Sequence, residues 1–501
     1  MLNVVFYNPP ETKTQTYREY KADGTVETRE VETTYHTVRD FACETLTSAK
    51  YMFAAHDFIT SFTGSMISLN DAEGMFSNSD ITFITGEHDE PADFSSLTIA
   101  DKMFANCIDL ETVNVKMPSL QHATDMFTGC TSLTTVNADF STLQHAADLF
   151  KGCGALKVVS IKFDSLEYAK GMFADSSVET FDINLPSLID GEEMFMRSKV
   201  SSFPVDMPNL ENGKKMFYDC QQLTGEVTLN TPKLVKGTEM LAKTNITSIE
   251  LQCPRLAYAN NMFDMCKTLN SVTGKLDSVT TADTMFRECD ALTSVSLDMP
   301  MLESAKNMFQ GASNFVNFSG NLARLKYGNQ MFKSTVIKTF NPVRLDFLEN
   351  GTEMFWGSQF VNWAWNMPSL QHGNYMFQGS RFLEKFQSDL PVLRNGTEMF
   401  NQCGVLSSFI GSLPALEQGN DMFKGCKLNA QSVMYIIESV PTYTSGTHSI
   451  TIGIDCTKDN AALDAFAQNA GYSDRVDMHA RLTSKGWTVT WNIGSELLSS
   501  L

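Results

Sequence analysis

The chain has 501 residues, a formal charge of −20 and a pI near 4.8. That acidity repels phosphate backbones and anionic lipid, and no Lys/Arg block offers a local exception, so nucleic acid is not expected as a partner. No stretch approaches the roughly 18 apolar residues of a membrane-spanning helix, and residues 1–10 lack the basic start and apolar run of a secretory signal, so neither insertion nor general secretion is expected.

Residues 1–45 do not repeat. Residues 1–7 read as a strand, and 16–20 with 25–31 read as a β-hairpin turning at Ala22-Asp23-Gly24. This β-rich module is either a cap over the exposed core of the first repeat or an attachment point for a partner.

Residues 46–427 repeat. Met-Phe pairs, or close variants, begin at Met52, Met75, Met103, Met126, Leu149, Met172, Met194, Met216, Met240, Met262, Met285, Met308, Met331, Met354, Met376, Met399 and Met422. The seventeen pairs are 22 to 24 residues apart, except for one gap of 28. A period in the 20s sustained this long predicts a solenoid whose units are stable only when stacked. In the repeat opening at Met103, Leu110, Val113 and Val115 alternate with Thr112, Asn114 and Lys116, which predicts a half-buried strand ended by Pro118. Leu120 and Ala123 then lead into Met126-Phe127 at helical spacing, which predicts a short helical or 3₁₀ return limb. Trp363 and Trp365 fall in inward strand slots and are assigned to the core.

Eight cysteines (Cys107, Cys130, Cys153, Cys220, Cys266, Cys289, Cys403 and Cys426) sit four residues after the Met, in a slot that elsewhere holds Ser, Thr or Ala. A slot with those alternatives wants a small, nearly buried side chain, so space-filling is expected rather than disulfides or metal. His122, His145 and His372 share one repeat phase at the predicted turn, which makes them positional. The 28-residue gap carries an acidic insertion from Glu87 to Asp93, read as a solvated loop with calcium binding as the alternative. No motif for a nucleotide, a catalytic triad or a zinc protease is present, so no enzyme, cofactor or metal is predicted.

Residues 428–501 leave the repeat. They predict helices over 429–440, 459–469 and 475–484, strands over 449–455 and 487–492, and a tail at 495–501 that is frayed or hooks into another subunit. They form an α/β C-terminal cap and tail. The terminal modules are where an oligomer would form.

Segments such as Met126-Phe127-Thr128-Gly129-Cys130-Thr131-Ser132-Leu133 and Met285-Phe286-Arg287-Glu288-Cys289-Asp290-Ala291-Leu292 resemble the BspA-like leucine-rich repeats over about residues 46–427. The resemblance implies a leucine-rich-repeat solenoid and a role in adhesion or surface recognition, as in bacteria, some protozoa and their phages. The ending Lys485-Gly486-Trp487-Thr488-Val489 resembles that of phage-encoded repeat proteins of this type. The leading expectation is therefore a non-enzymatic virion component, partnered by other virion proteins or a host-surface glycan or protein. The alternative is a bacterial surface or secreted adhesin. The expected binding face is the set of outward strand residues: Thr112, Asn114, Lys116, Thr135, Asn137, Asp139, Thr180, Asp182, Asn184, Ser248, Glu250, Gln252, Asn362, Asn366, Lys385, Gln387 and Asp389. Side chains of this kind suit hydrogen bonding to sugar hydroxyls or a polar protein surface.

Overall fold

The computed structural model describes residues 11–20, 26–42, 45–56, 59–159, 161–181, 185–202, 207–342 and 344–501. The predicted strand at 1–7, the hairpin turn, Asp182 and Asn184 lie outside the described residues, as do Phe203 and Val205, which the repeat pattern assigns to a strand before Pro208. The chain divides into two compact units, Met1–Thr224 and Gly225–Leu501.

In the first unit the predicted hairpin is present and longer than expected: β1 (Glu11–Tyr20) pairs antiparallel with β2 (Val26–Ala42), in register from Glu11 opposite Tyr35 to Tyr20 opposite Val26. From β2 onward every pairing among the described residues of this unit is parallel. Strand β2 lies beside β3 (Ile59–Ser65), β3 beside β4 (Phe83–Thr85), and β6 (Thr112–Lys116) beside both β4 and β5 (Ala92–Asp93). The long repeat is thereby explained. Strands β4 and β5 lie along the single strand β6, at Thr112–Val113 and Val115–Lys116, and the acidic insertion loops out between them. Strand β7 (Thr135–Asn137) continues from β6, and β8 (Val158–Val159) pairs with β9 (Thr180–Phe181).

The return limb is not helical. In both units it is a run of hydrogen-bonded turns, and the residues one before and three after each Met have positive φ in all seventeen repeats, as at Asp125 (56°) and Gly129 (74°). Left-handed residues at that spacing break an α-helix. They also turn alternate peptides outward. The N–H groups of Ala123, Asp125, Phe127 and Gly129 donate to the next repeat's His145, Ala147, Leu149 and Lys151 carbonyls at 2.8–2.9 Å. Those of Met126, Thr128 and Cys130 close turns within their own repeat, on Ala123, Asp125 and Phe127. With the Thr124 N–H donating to Asp101 Oδ1 at 2.8 Å, no peptide N–H from Ala123 to Cys130 is left over, the condition a buried backbone must meet.

This geometry stacks like side chains on like. The rings of Phe53, Phe76, Phe104, Phe127, Phe150, Phe173, Phe195 and Phe217 follow one another with centroids 5.2–5.4 Å apart. In the second unit Phe263 to Phe423 do the same at 5.3–5.6 Å. All eight repeat cysteines are free and buried. Each thiol lies 2.9–3.2 Å from the carbonyl of the Phe (or Leu241) one repeat earlier. A small polarizable group that also donates weakly fits the slot, as expected of a filler. Ser176, Thr244 and Thr335, in the same slot, donate instead to the aromatic or Leu241 carbonyl of their own repeat at 2.8 Å.

The second unit repeats this plan through β10 (Thr224–Asn230), β11 (Asn245–Gln252), β12 (Ser271–Lys275), β13 (Ser294–Ser296), β14 (Asn317–Gly320), β15 (Thr339–Pro342), β16 (Asn362–Trp363), β17 (Lys385–Gln387) and β18 (Ser408–Ile410). These form three-stranded sheets in sequence order. Trp363 is buried, but Trp365 is only half-buried, because its Nε1 turns to donate to the Phe340 carbonyl at 3.1 Å. Val136, which pairs with the buried Val113 and so shares its inward slot, is half-buried.

The ladder ends in a cap close to the one predicted. Helix α1 (Ala430–Ser439), N-capped by Asn429, lies against β18. There the Phe409 N–H donates to Ser432 Oγ (2.8 Å) and the Leu413 N–H to Ser439 Oγ (3.1 Å), so the last strand presents no open edge at these positions. The turn limb is extended by a sheet of β19 (Gly419–Leu428), β20 (His448–Ile454), β21 (Trp487–Ile493) and β22 (Glu496–Leu498), with α2 (Asn460–Asn469) and α3 (Arg475–Thr483) inserted between β20 and β21. The tail expected to fray or hook is instead partly paired: β22 runs antiparallel to β21, Trp491 opposite Leu498.

Two outcomes are expected of the limb. Gln402 holds a φ of 62°, which costs a side-chain-bearing residue roughly 1 kcal/mol. Gln402→Gly should raise the urea midpoint, and Gln402→Val should lower it. The thiols give a pH signature. Burial pushes Cys153 and Cys220 up to about 12 from an ordinary 9.0. The thiol proton is kept by the folded chain and released by the unfolded one across that window, so the contribution is intact below pH 9 and lost as pH rises from there. Each thiol removes at most about 1.4 kcal/mol per pH unit. Urea midpoints should fall between about pH 8 and about pH 10, and fall less in Cys153→Ala than in wild type.

Candidate binding face and its two grooves

Parallel pairing in register makes each outward slot a column. Thr112 stands beside Thr135 and Asn114 beside Asn137; Ser248, Glu250 and Gln252 stand beside Ser271, Thr273 and Lys275; Asn362 stands beside Lys385, and Gln387 beside Ile410. Lys116, Thr135, Asn137, Asp139, Thr180, Glu250, Gln252, Asn362, Asn366, Gln387 and Asp389 are exposed, whereas Thr112, Asn114, Ser248 and Lys385 are half-buried.

Several of these groups are already engaged. Asn137 Nδ2 donates to Asn114 Oδ1 at 2.6 Å, and Asn114 Nδ2 to the Asp89 carbonyl at 3.0 Å. Gln252 Nε2 donates to Glu250 Oε1 at 3.0 Å. Asp139 accepts from the Ser141 N–H at 3.0 Å, and that bond holds its carboxyl below the usual range. Asp389 accepts from Ser412 Oγ at 2.8 Å through one oxygen.

The face becomes concave where the repeat is interrupted. In the first unit the insertion stands over β4 and β6, enclosing about 450 Å³ among Thr82, Phe83, Thr85, Asp89, Glu111, Thr112 and Asn114 among others. Its position is fixed by Thr85 Oγ1 and the Gly86 N–H, both donating to the Glu90 carbonyl, and by the Asn114 bond to Asp89. In the second unit α1 rises beside the segments that continue from β16, β17 and β18. The groove between them encloses about 720 Å³, lined by Asn366, Gln387, Asp389, Ser412, Tyr435 and Glu438 among others. Glu438 is held by the Tyr472 hydroxyl (3.0 Å) and by Arg481 (3.5 Å).

Phe83, Glu111, Tyr435 and Glu438 were not among the sequence-derived candidates, although two carried a signal. Phe83 is an aromatic residue in an outward slot and is 41% exposed. Tyr435 lies off the buried stripe Val433, Ile436, Ile437 of α1 and is 37% exposed. The carboxylates of the insertion do not converge: among the described residues no three Asp, Glu, His or Cys side chains are grouped as an ion would require. His122 stacks on His145 at 4.7 Å and His145 on Tyr168 at 4.9 Å, at the bridged position four residues before the Met or its Leu149 equivalent, away from either groove.

The family described as the BspA type leucine rich repeat region matches this chain in six copies, over residues 97–224, 236–362 and 353–445. A leucine-rich repeat protein from Bacteroides ovatus ATCC 8483 is similar in structure, with a TM-score of 0.37 and 16% identity over 67% of this chain and 99% of that one. A leucine rich cell surface protein from Faecalibacterium prausnitzii A2-165 is similar at 0.30 and 14%, over 66% and 95%. No curated protein matches.

The two sides of β17 should differ sharply on substitution. Gln387→Ala, outward, should change unfolding free energy by no more than about 0.5 kcal/mol. Phe386→Ala, inward between Phe377, Phe400 and Phe409, should cost about 3–5 kcal/mol in urea denaturation.

Proposed function

The chain belongs to the BspA-type leucine-rich-repeat family, and from that premise we propose that it is a non-enzymatic recognition protein of a bacterial surface or secretion. It binds a host-surface glycan or protein through the outward strand positions. The observation that carries this reading is the pair of grooves, each opening on that face and each including expected binding residues: Thr112 and Asn114 in one, Asn366, Gln387 and Asp389 in the other.

One ground of the virion reading is the ending at 485–489, and those residues have a local task. Lys485 Nζ donates to the Ile437, Glu438 and Val440 carbonyls at 2.7, 3.1 and 3.1 Å, closing the C-terminal end of α1. Gly486 takes a φ of 86° against the Tyr443 backbone, and Trp487 Nε1 donates to the Pro441 carbonyl at 2.9 Å. A segment that ties a helix to a sheet serves any carrier of this cap, so it favours a phage no more than a bacterium.

Purified protein should bind a subset of a panel of bacterial and animal cells in flow cytometry. The variant carrying Asn366→Ala, Gln387→Ala and Asp389→Ala should bind that subset at least roughly tenfold less, with unchanged melting temperature. Equal binding by the variant removes this face as the site, and absence of binding by wild type removes the reading. Protease treatment of intact producing cells should cleave the protein; protection on cells with recovery in purified virions would restore the virion alternative.

A further inference from the structure

The two grooves lie in different units and are built from different elements, yet their linings have the same chemistry. Each holds one exposed aromatic side chain (Phe83 or Tyr435), two carboxylates (Asp89 and Glu111, or Asp389 and Glu438), an asparagine, and several hydroxyls. Neither lining includes Lys or Arg. That composition repels phosphate, sulfate and carboxylate ligands. It also differs from a site for a cation, since among the described residues no three Asp, Glu, His or Cys side chains are grouped as an ion would require. Asn366 and Gln387 add amides that both donate and accept, and among the described residues their side chains and the Tyr435 hydroxyl have no hydrogen-bond partner.

Resting on the reading of this face as a recognition surface, we propose that both grooves bind uncharged pyranose units of a glycan. A pyranose has an apolar C–H face and an equatorial rim of hydroxyls that both donate and accept. The ring of Tyr435 or Phe83 takes the first. The second Asp389 oxygen and the Asn366 and Gln387 amides take the second in one groove, and Asp89, Glu111 and Thr112 do so in the other. A carboxylate beside an amide suits a vicinal diol, since one accepts only while the other does both. The concavity, together with a few polar groups around an aromatic wall, is the form small-ligand sites take.

The test is an array of neutral hexose and N-acetylhexosamine oligosaccharides beside sialylated and sulfated oligosaccharides and lysine-rich peptides, read with the full chain. Neutral glycans should bind and the anionic ones should not. Phe83→Ala and Tyr435→Ala should each weaken binding roughly tenfold, Tyr435→Phe much less, and the Phe83→Ala/Tyr435→Ala pair should abolish it, with circular dichroism unchanged. A preference for sialylated or sulfated glycans, for the peptides, or full binding by the double variant overturns the inference. Binding to whole cells without binding to any neutral glycan overturns the sugar assignment and leaves the recognition reading standing. Loss of both removes both.

Discussion

Everything in this molecule depends on a backbone that turns alternate peptides out of plane. Two left-handed residues flank each Met-Phe pair, and between them every second N–H points along the stack instead of back into its own turn. A side-chain-bearing residue resists that conformation, so each repeat carries a standing cost of roughly 1–3 kcal/mol per strained residue. The offset comes from neighbours: four inter-repeat hydrogen bonds on the turn limb, the parallel strand ladder opposite, and one phenylalanine ring laid on the next. An isolated repeat has the cost without the offset, which is why repetition is obligatory here. A helix on that limb would have kept its hydrogen bonds to itself and left the stack to side chains alone.

Repetition of this kind fixes the interior and frees the exterior. Inward slots must stack on their own kind, so Phe, Met, Leu and the small thiol or hydroxyl recur. The Ala or Gly three residues before each Met, such as Gly191 or Gly351, recurs because the next repeat's methionine lies where a larger side chain would go. Outward slots have no such demand, and Asn, Asp, Ser, Thr, Lys and Gln exchange there. The same hydrogen bonding that builds the ladder would expose its last strand, and α1 meets that need with Ser432 and Ser439.

Much of this was legible in the sequence, for physical reasons. The period, the buried alternates Leu110, Val113 and Val115, the nature of the cysteine slot and the helices and strands of the cap all derive from hydrophobic spacing and capping residues. The turn limb was not. The position before each Met accepts Asp125, Lys102, Glu398 or Tyr375 as readily as Gly171, because the stack imposes its conformation. The position three after the Met, mostly Gly, Asn or Asp, carries a left-handed signal that the apparent helical spacing of the apolar residues masked. Trp365 escaped for a related reason. Its indole N–H needs an acceptor, and reaching the Phe340 carbonyl turns it partly out of the core. The grooves were half legible: spacing identified the strand floor, whereas the walls come from a loop between two pieces of one strand and from a helix that begins more than forty residues after Gln387.

That division explains where the grooves lie. A uniform ladder offers columns of identical depth, good for many weak hydrogen bonds and unable to surround anything. Enclosure needs a wall, and a wall needs a residue out of phase with the repeat. The chain breaks phase at the insertion between β4 and β5 and again at α1, and both breaks produce a groove floored by in-phase polar residues. An aromatic ring is exposed at each, Phe83 against the loop and Tyr435 on the helix. Leaving an aromatic in water is unfavourable for folding. Exposed aromatic rings also occur in phase with the repeat, as at Tyr258 and Phe382; what the two interruptions add is a wall beside the ring, in a lining that has carboxylates and neither lysine nor arginine.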